Sequence, residues 1–386
     1  MATTLPIEIL MIIAKYASRN LLPRLSLVSR ELHSITMPLL YASIPNLSKC
    51  MPRTIRCLLT LSTKPELARM VHSFSLALSH SYALRAFHRL IGRALSNMTG
   101  LDKLSIHSSF PICSALSRIS CRLTELLYSS LSSDSYPISD FLSTQPTIEK
   151  LVIVCQADSL SNLDPKALPG LKDLSAAVEL CSTSLISHLS RLSRLFILHP
   201  MTHIVQFVEL AGALQETTSP RPLELSIGID TSTEPEVIET VTLGLAYIGS
   251  VAPFITSLKL IIYQGYMRQD ELHDMFQYTL PKFPNLKMLT VISPPPTQNM
   301  YPRGFQMRKL SHTISLIHGA LYLLDLPIDT AILPASESEQ GQPNPNALYD
   351  KSCHTKIICA WGQIHTGLEY VVFPLAMYDL KAFRSA

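Results

Sequence analysis

The chain has 386 residues, of which 47% are hydrophobic and 16% charged, and its formal net charge at pH 7 is +3. This composition is ample for a large core and excludes a chain too polar to fold. Lys and Arg are scattered without a block of like charges, and no apolar stretch approaches the roughly eighteen residues of a membrane span. We therefore expect neither a nucleic acid nor a membrane as partner. The eight cysteines are too sparse for a disulfide scaffold, which favours a cytoplasmic or nuclear protein.

Residues 1–45 predict three short helices. Thr4 and Pro6 suit the start of the first helix, and Asn20 can cap the second. Ser29 together with the apolar positions from Leu32 onward suggests the third helix, in which Pro38 is a local weakness. The apolar positions at three- and four-residue spacing are Ile9, Ile12, Ile13 and Tyr16; Leu21, Leu22, Leu25 and Val28; and Leu32, Ile35, Leu39 and Leu40. A module of this size rarely buries enough surface to be stable alone, so part of its apolar face should meet a partner.

An ordered set of residues in this segment resembles the F-box. The matching positions are Leu5, Pro6, Glu8, Ile9, Leu25, Val28, Ser29, Arg30 and Leu32. The resemblance implies docking onto a Skp-type adaptor, and through it onto the cullin of a ubiquitin ligase, by way of Leu5, Pro6, Ile9, Leu25, Val28 and Leu32. Family members often carry Trp or Phe at the position of Leu32, so this chain lacks one anchor. The alternative is an N-terminal helical cap on a larger core.

Residues 46–386 repeat the pattern L-x-x-L-x-L with leucine or a close substitute in each slot. The first slots are Val71, Leu101, Leu123, Ile148, Leu171, Leu192, Pro222, Ile255, Leu286, Leu321 and Leu368. Their spacing runs from 21 to 47 residues, and the central steps fall in the range of leucine-rich repeats. The segments 82–98 and 204–214 between slots have helical spacing, and turn signals such as Phe283-Pro284-Asn285 lead into the strands.

Strand, helix and turn at a repeating period predict a solenoid, because each unit can bury its apolar edge only against its neighbours. The pattern resembles the irregular leucine-rich repeats often found behind an F-box, although the asparagine ladder of regular repeats is largely missing. A doubly wound α/β sheet is the competing fold. The chain has no glycine-rich strand-to-helix turn and only 13 glycines, which favours the solenoid.

Two segments interrupt the repeats. Residues 293–304 are rich in proline, and residues 334–347 are polar with few apolar side chains. We expect both to leave the core as exposed insertions.

A group of possible metal ligands lies near the C-terminus. Cys353, His354, Cys359 and His365 match no common zinc spacing, and Trp361 with its apolar neighbours favours a packed strand or helix instead. No sequence motif of a hydrolase or a metalloprotease occurs, so we expect no catalytic site, no metal and no cofactor. A hydrolase built from distant residues is the rival from the enzyme class.

A solenoid offers a broad sheet surface lined by the residues between the leucine slots. In this frame Leu127, Val152 and Phe196 form an exposed apolar patch and Lys259 lies on the same face, so these four are the predicted target-binding residues. The alternatives are that helices or loops cover the patch, or that a register one residue off buries it.

These patterns predict an α/β protein with an F-box-like module at 1–45 and a degenerate leucine-rich-repeat domain at 46–386, with a parallel sheet on its concave side. The resemblance implies a non-enzymatic substrate receptor that binds a Skp-type adaptor and an unknown target protein. A repeat scaffold without a ligase role is the alternative.

Overall fold

The computed structural model describes residues 5–45, 51–78, 85–109, 112–130, 137–217, 220–232, 236–293 and 346–384. Its contacts divide the chain into two units, Met1–Leu171 and Lys172–Ala386. The boundary predicted at residue 45 falls inside unit 1, and the separate F-box domain remains a prediction.

Unit 1 begins with three helices, α1 (Ile7–Tyr16), α2 (Leu22–Leu25) and α3 (Arg30–Ala42). Ser29 caps α3, since its side chain accepts a hydrogen bond from the Leu32 amide at 3.1 Å, a role that the sequence pattern did not predict. The second helix is shorter than the pattern suggested: Leu21, and not Asn20, precedes it, and Val28 lies in the turn that follows. Thr4 lies outside the described residues.

The strands of unit 1 are parallel and follow one another in chain order. They are β1 (Ser43–Ile44), β2 (Ser73–Leu78), β3 (Lys103–Ser108), β4 (Glu125–Ser130) and β5 (Lys150–Val154). The leucine slots pair in register, with Leu104 beside Leu126 and Leu126 beside Leu151. Each repeat thus stacks its core residues on those of the next.

Helices connect these strands. They are α4 (Met51–Thr63), α5 (Pro65–Ala68), α6 (Arg85–Asn97), α7 (Cys113–Leu116) and α8 (Ile138–Ser143), with a 3-10 turn at Ala157–Leu160. The helix predicted over 82–98 is confirmed as α6. Its C-terminal Asn97 donates hydrogen bonds to the carbonyls of Leu61 and Ser62 in α4, which ties these two neighbouring helices together.

Unit 2 continues the same pattern. Its strands are β6 (Asp173–Ala176), β7 (Arg194–Ile197), β8 (Leu223–Asp230), β9 (Ile255–Gln264), β10 (Met288–Ile292), β11 (Tyr370–Phe373) and β12 (Ala376–Asp379). Neighbours pair in chain order, in parallel except for β11 with β12, which is antiparallel. The antiparallel hairpin of β11 and β12 therefore ends the sheet in a different way from a further parallel repeat.

Helices connect the strands of unit 2 as well. They are α9 (Val178–Ser182), α10 (Ile204–Gln215), α11 (Val237–Val251), α12 (Gln269–Thr279), α13 (Lys351–Ile364) and α14 (Leu380–Arg384), with 3-10 turns at Ile186–Arg191 and Leu280–Lys282. The helix predicted over 204–214 is confirmed as α10, and the packed segment around Trp361 is α13. Trp361 is fully buried, with its ring centroid 5.0 Å from that of Phe276 in α12.

The leucine slots form the cores of both units. Every predicted slot in the described residues is buried except Pro222, which is exposed. Leu223 takes its place, because the strand register shifts between Leu223 and Glu224. Each buried leucine contributes about 1.5–3 kcal/mol, so these rows are the main source of stability. The slots at Leu321, Leu324 and Leu326 lie outside the described residues.

The strand order decides between the two predicted architectures. A doubly wound sheet reverses its strand order at a switch point, whereas the strands of each unit here follow the chain without a reversal. The order and the buried slots are those of leucine-rich-repeat-like stacking in an α/β protein.

The predicted insertions fall almost entirely on residues 294–345, which lie outside the described part of the chain. At their borders the expectation of exposure is wrong. Ser293, Asn346 and Ala347 are buried, and the Ala347 amide donates a hydrogen bond to the carbonyl of Met267 at 2.9 Å. A buried backbone needs such partners, and here a strand-to-helix connection supplies one.

Candidate protein-interaction surfaces

The three N-terminal helices leave a large apolar surface open to solvent. Of the ten residues of α1 only Ala14 is buried, while Tyr16 is 83% exposed and Val28, after α2, is 69% exposed. We call this set the N-terminal apolar surface: Leu5, Pro6, Ile7, Ile9, Met11, Ile12, Ile13, Tyr16, Leu21, Leu27, Val28 and Leu39. Single exposed apolar side chains are ordinary, but a contiguous group rimmed by polar residues is typical of a binding site.

A small core holds these helices together. Ala14 of α1, Leu22 of α2 and Leu32 of α3 are buried, and the Thr36 hydroxyl donates to the Leu32 carbonyl at 2.7 Å inside α3. Only one side of α1 packs on α3, so the other sides of α1 can contact a partner. Glu8 and Lys15 form the polar line that separates the two exposed apolar flanks of α1.

Most of the predicted adaptor contacts lie on this surface. Leu5, Pro6, Ile9 and Val28 are exposed and Leu25 is half-buried. Leu32 is the exception: it is 9% exposed and lies in the small core of the three helices instead of on their surface, and its contact with a partner stays a prediction.

Within each unit, the predicted target-binding residues lie in the strand rows that the pattern implied. Leu127 pairs with Val152, and Phe196 lies between Ser175 and Ser226. Their exposure, however, was predicted wrongly. Val152 and Phe196 are each 3% exposed, and Leu127 is half-buried. Side chains on neighbouring strands stand only about 5 Å apart and shield one another, so these rows offer backbone and small polar groups more than an apolar patch.

Lys259 is the charged member of these rows in unit 2. It pairs with Ser226 on one side and Thr290 on the other and is half-buried. Burial lowers the pKa of its amine, and the nearby Glu224 carboxylate opposes that effect.

Cys353, His354 and His365 are buried and pack in the core of unit 2, whereas Cys359 is exposed. His354 Nε2 donates to the Ala347 carbonyl at 2.9 Å, and the His365 ring lies 2.7 Å from the Phe283 carbonyl oxygen. No group of three or more His, Cys, Asp or Glu side chains that could hold a metal occurs within the part of the chain that the structure describes.

Two clefts lie in unit 2. One, of about 440 Å³, is lined by prolines and Phe254 beside Lys287 and Glu369. The other, of about 540 Å³, lies between α12 and α13 and carries Asp270, His273 and Asp274 opposite Lys356. Neither brings a nucleophile and a base together, so both are better suited to contacts than to chemistry.

A basic surface on unit 1 was missed by the sequence analysis. Arg53 and Arg56 of α4, Arg89 and Arg93 of α6, and Arg118 after α7 are all exposed. No five basic residues are consecutive, so a search for charge blocks passes over them. Summing charge over residues 46–122 would have found them, because this window contains eleven Lys and Arg but two Asp and Glu.

Comparison with known proteins found no matching protein-family model and no matching curated protein. Among solved structures it matches one titled as the crystal structure of a TLR13–ssRNA13 complex, with 17% identity and a TM-score of 0.26. That match covers 59% of this chain and 27% of the other, a likeness too low to establish a common fold. In the described residues, no helix is both long and apolar enough to cross a membrane.

Proposed function

We propose that this chain is the substrate-recognition subunit of a cullin-RING ubiquitin ligase. In this proposal α1, α2 and the start of α3 dock onto a Skp-type adaptor, and the strand-helix repeats bind the target protein. The chain contributes proximity and orientation, while other subunits carry out the transfer of ubiquitin.

The observation that carries this proposal is the N-terminal apolar surface. Its side chains are exposed on a module too small to hide them, and four of the six residues that resemble F-box contacts lie on it. Burying one exposed Leu, Ile or Val in an interface is worth about 1.5–3 kcal/mol, so a few of these residues suffice for a specific complex.

The adaptor contact is tested by co-expressing the full chain with a Skp-type adaptor. The Ile9→Asp/Val28→Asp variant should lose capture by about tenfold or more, because it places two carboxylates in a desolvated interface. Leu243→Asp/Tyr247→Asp is the matched control, since it removes two exposed apolar side chains of α11 and should bind as the wild type does.

Two results contradict the proposal. If the wild type is not captured while an authentic F-box protein is captured in the same assay, the ligase function is wrong. If capture survives both Ile9→Asp/Val28→Asp and a change of Leu5 and Pro6 together, the interface is misplaced.

A repeat scaffold without a ligase role is the second candidate. The observation that favours it is the burial of Leu32, which removes one of the six expected contacts from the surface. The scaffold predicts that the same N-terminal variants disrupt binding to a different protein and that no adaptor is captured.

A further inference from the structure

Positive charge is concentrated in one stretch of this chain. Residues 46–122 contain eleven Lys and Arg and two Asp and Glu, a net charge of +9, whereas the entire chain carries +3. The remaining residues are therefore negatively charged overall, so the basic stretch is not a property of the chain as a whole.

The fold gathers part of this charge on the outer side of unit 1. We define the arginine cluster as Arg53, Arg56, Arg89, Arg93 and Arg118, all of which are exposed. The residues of α4 and α6 that face the core are apolar, such as Leu58 and Ile91, so their arginines point to solvent on neighbouring helices. Packed helices lie about 8–10 Å apart, which is within reach of two arginine side chains.

Arg118 joins this surface through a contact that needs a glycine. A Cβ at Gly92 of α6 would lie 2.9 Å from Cδ of Arg118, so the arginine side chain lies directly over this position. Gly92 is three residues from Arg89 and next to Arg93, and residues three apart lie on one side of a helix. The absence of a side chain at Gly92 therefore brings a third guanidinium beside the two of α6.

Among the described residues, no ion pair joins the arginine cluster to a carboxylate of the same chain. Ion pairs of this part of the chain join other groups, such as Lys103 with Glu125 and His72 with Asp102. Like charges four residues apart, as at Arg89 and Arg93, destabilise a helix. A partner that supplies negative charge would relieve this repulsion.

We propose that the arginine cluster is a second interaction surface and that it binds an acidic segment of a protein partner. The guanidinium fork matches a carboxylate in two parallel hydrogen bonds. Within the described residues no exposed aromatic side chain lies on α4, α6 or α7, so the stacking platforms of single-strand nucleic-acid binding are missing. Leu59 of α4, 47% exposed, adds an apolar contact of the kind found in protein interfaces.

The probe is a fluorescent Glu-rich peptide titrated with the full-length protein at low and at high salt. Arg89→Gln/Arg93→Gln/Arg118→Gln should weaken binding by about tenfold or more, and salt should weaken the wild type strongly. Lys166→Gln/Arg221→Gln/Lys282→Gln removes the same charge from exposed positions elsewhere and should weaken binding by less than about threefold. Unchanged circular dichroism of both variants confirms that they fold.

Several outcomes overturn this proposal. Equal losses in the two triple variants would mean that net charge, and not the cluster, attracts the peptide. Tighter binding of a labelled single-stranded or duplex DNA, lost in the arginine variant, would assign the surface to nucleic acid. Salt-sensitive self-association that is lost in the same variant would make a second copy the partner. None of these readouts involves the adaptor, so they do not depend on the proposed ligase function.

Discussion

At the scale of single residues, His354 shows how a polar group is held inside an apolar core. It is fully buried in α13, stacks on Phe373 with ring centroids 4.2 Å apart, and has polar partners on both nitrogens. The Ala347 carbonyl can only accept, so Nε2 carries the proton, and the Tyr378 hydroxyl then donates to Nδ1 at 2.9 Å. In this arrangement both nitrogens of the neutral imidazole have a hydrogen-bond partner.

His354 should make the stability of unit 2 depend on pH. Burial lowers its pKa below the ordinary value of 6.5, so its contribution is complete above pH 6.5 and is lost as the pH falls through the lowered pKa. We expect the midpoint of urea unfolding to fall between pH 7 and pH 5, and to fall less in His354→Gln.

The control for this prediction is His33→Gln, which changes an exposed histidine of α3 and should leave the pH dependence unchanged. Burial also lowers the pKa of His199, so some pH dependence should remain in His354→Gln. An unfolding midpoint that responds to pH equally in the wild type and in His354→Gln would show that His354 does not carry the effect.

Other single residues mark where sequence patterns stop being informative. The pattern placed Val152 and Phe196 on the correct face and in the correct rows, yet both are buried. Side chains alternate between the two faces of a strand, so the sequence pattern indicates on which face a residue lies. Whether that residue is exposed depends on the neighbouring side chains that cover it. The pattern is also uninformative at the boundaries of elements. It did not show that Leu32, in the first turn of α3, is buried, and it assigned a core slot to Pro222 because it could not show the register shift at the start of β8.

At the scale of elements, the packing of α10 on α11 depends on a glycine. A Cβ at Gly244 of α11 would lie 2.2 Å from Cγ of Phe207, which is fully buried in α10. Gly212 of α10 lies in the same helix pair, but a Cβ there would meet no atom within 4 Å. The two positions share a residue type and a secondary structure and differ only in their surroundings.

The same substitution should therefore have opposite effects at these two sites. Gly244→Ala overpacks the interface and should destabilise the protein by about 1–3 kcal/mol. Gly212→Ala should stabilise it by about 0.5–1 kcal/mol, because alanine favours the helix and meets no clash. Urea unfolding of both variants measures the free energies, and a destabilised Gly212→Ala or a neutral Gly244→Ala would contradict this account of the packing.

At the scale of the whole molecule, the chain carries two exposed surfaces of different chemistry. The N-terminal apolar surface is formed by α1 and the residues before it, by the turns on either side of α2 and by Leu39 of α3. The arginine cluster is formed by α4, α6 and the turn after α7. They share no residue. Substitutions at separate sites without shared partners act independently on binding and stability.

The two surfaces should therefore be separable by mutation. Ile9→Asp/Val28→Asp should lose adaptor capture and bind the Glu-rich peptide as tightly as the wild type does. Arg89→Gln/Arg93→Gln/Arg118→Gln should show the reverse, and the combined variant should lose both activities by the same factors. Parallel capture and anisotropy measurements on one set of proteins test this, and a loss of both activities in either single-surface variant would show that the surfaces are coupled.

Local sequence patterns are sufficient to identify the residues that form the cores. The leucine slots and the helices α6 and α10 follow from local periodicity, which depends on residues close in the chain. The resemblance to an F-box also rests on residues close in sequence, and most of its positions are exposed as a docking surface requires.

Which of these residues a partner can reach depends on tertiary packing. Burial of Leu32, Val152 and Phe196, and the gathering of arginines around Gly92, depend on helices and strands that are distant in sequence. The strand order that separates stacked repeats from a doubly wound sheet is likewise a property of long-range pairing. The physical reason is that periodicity sets the direction of a side chain, whereas exposure and charge density are set by everything that packs around it.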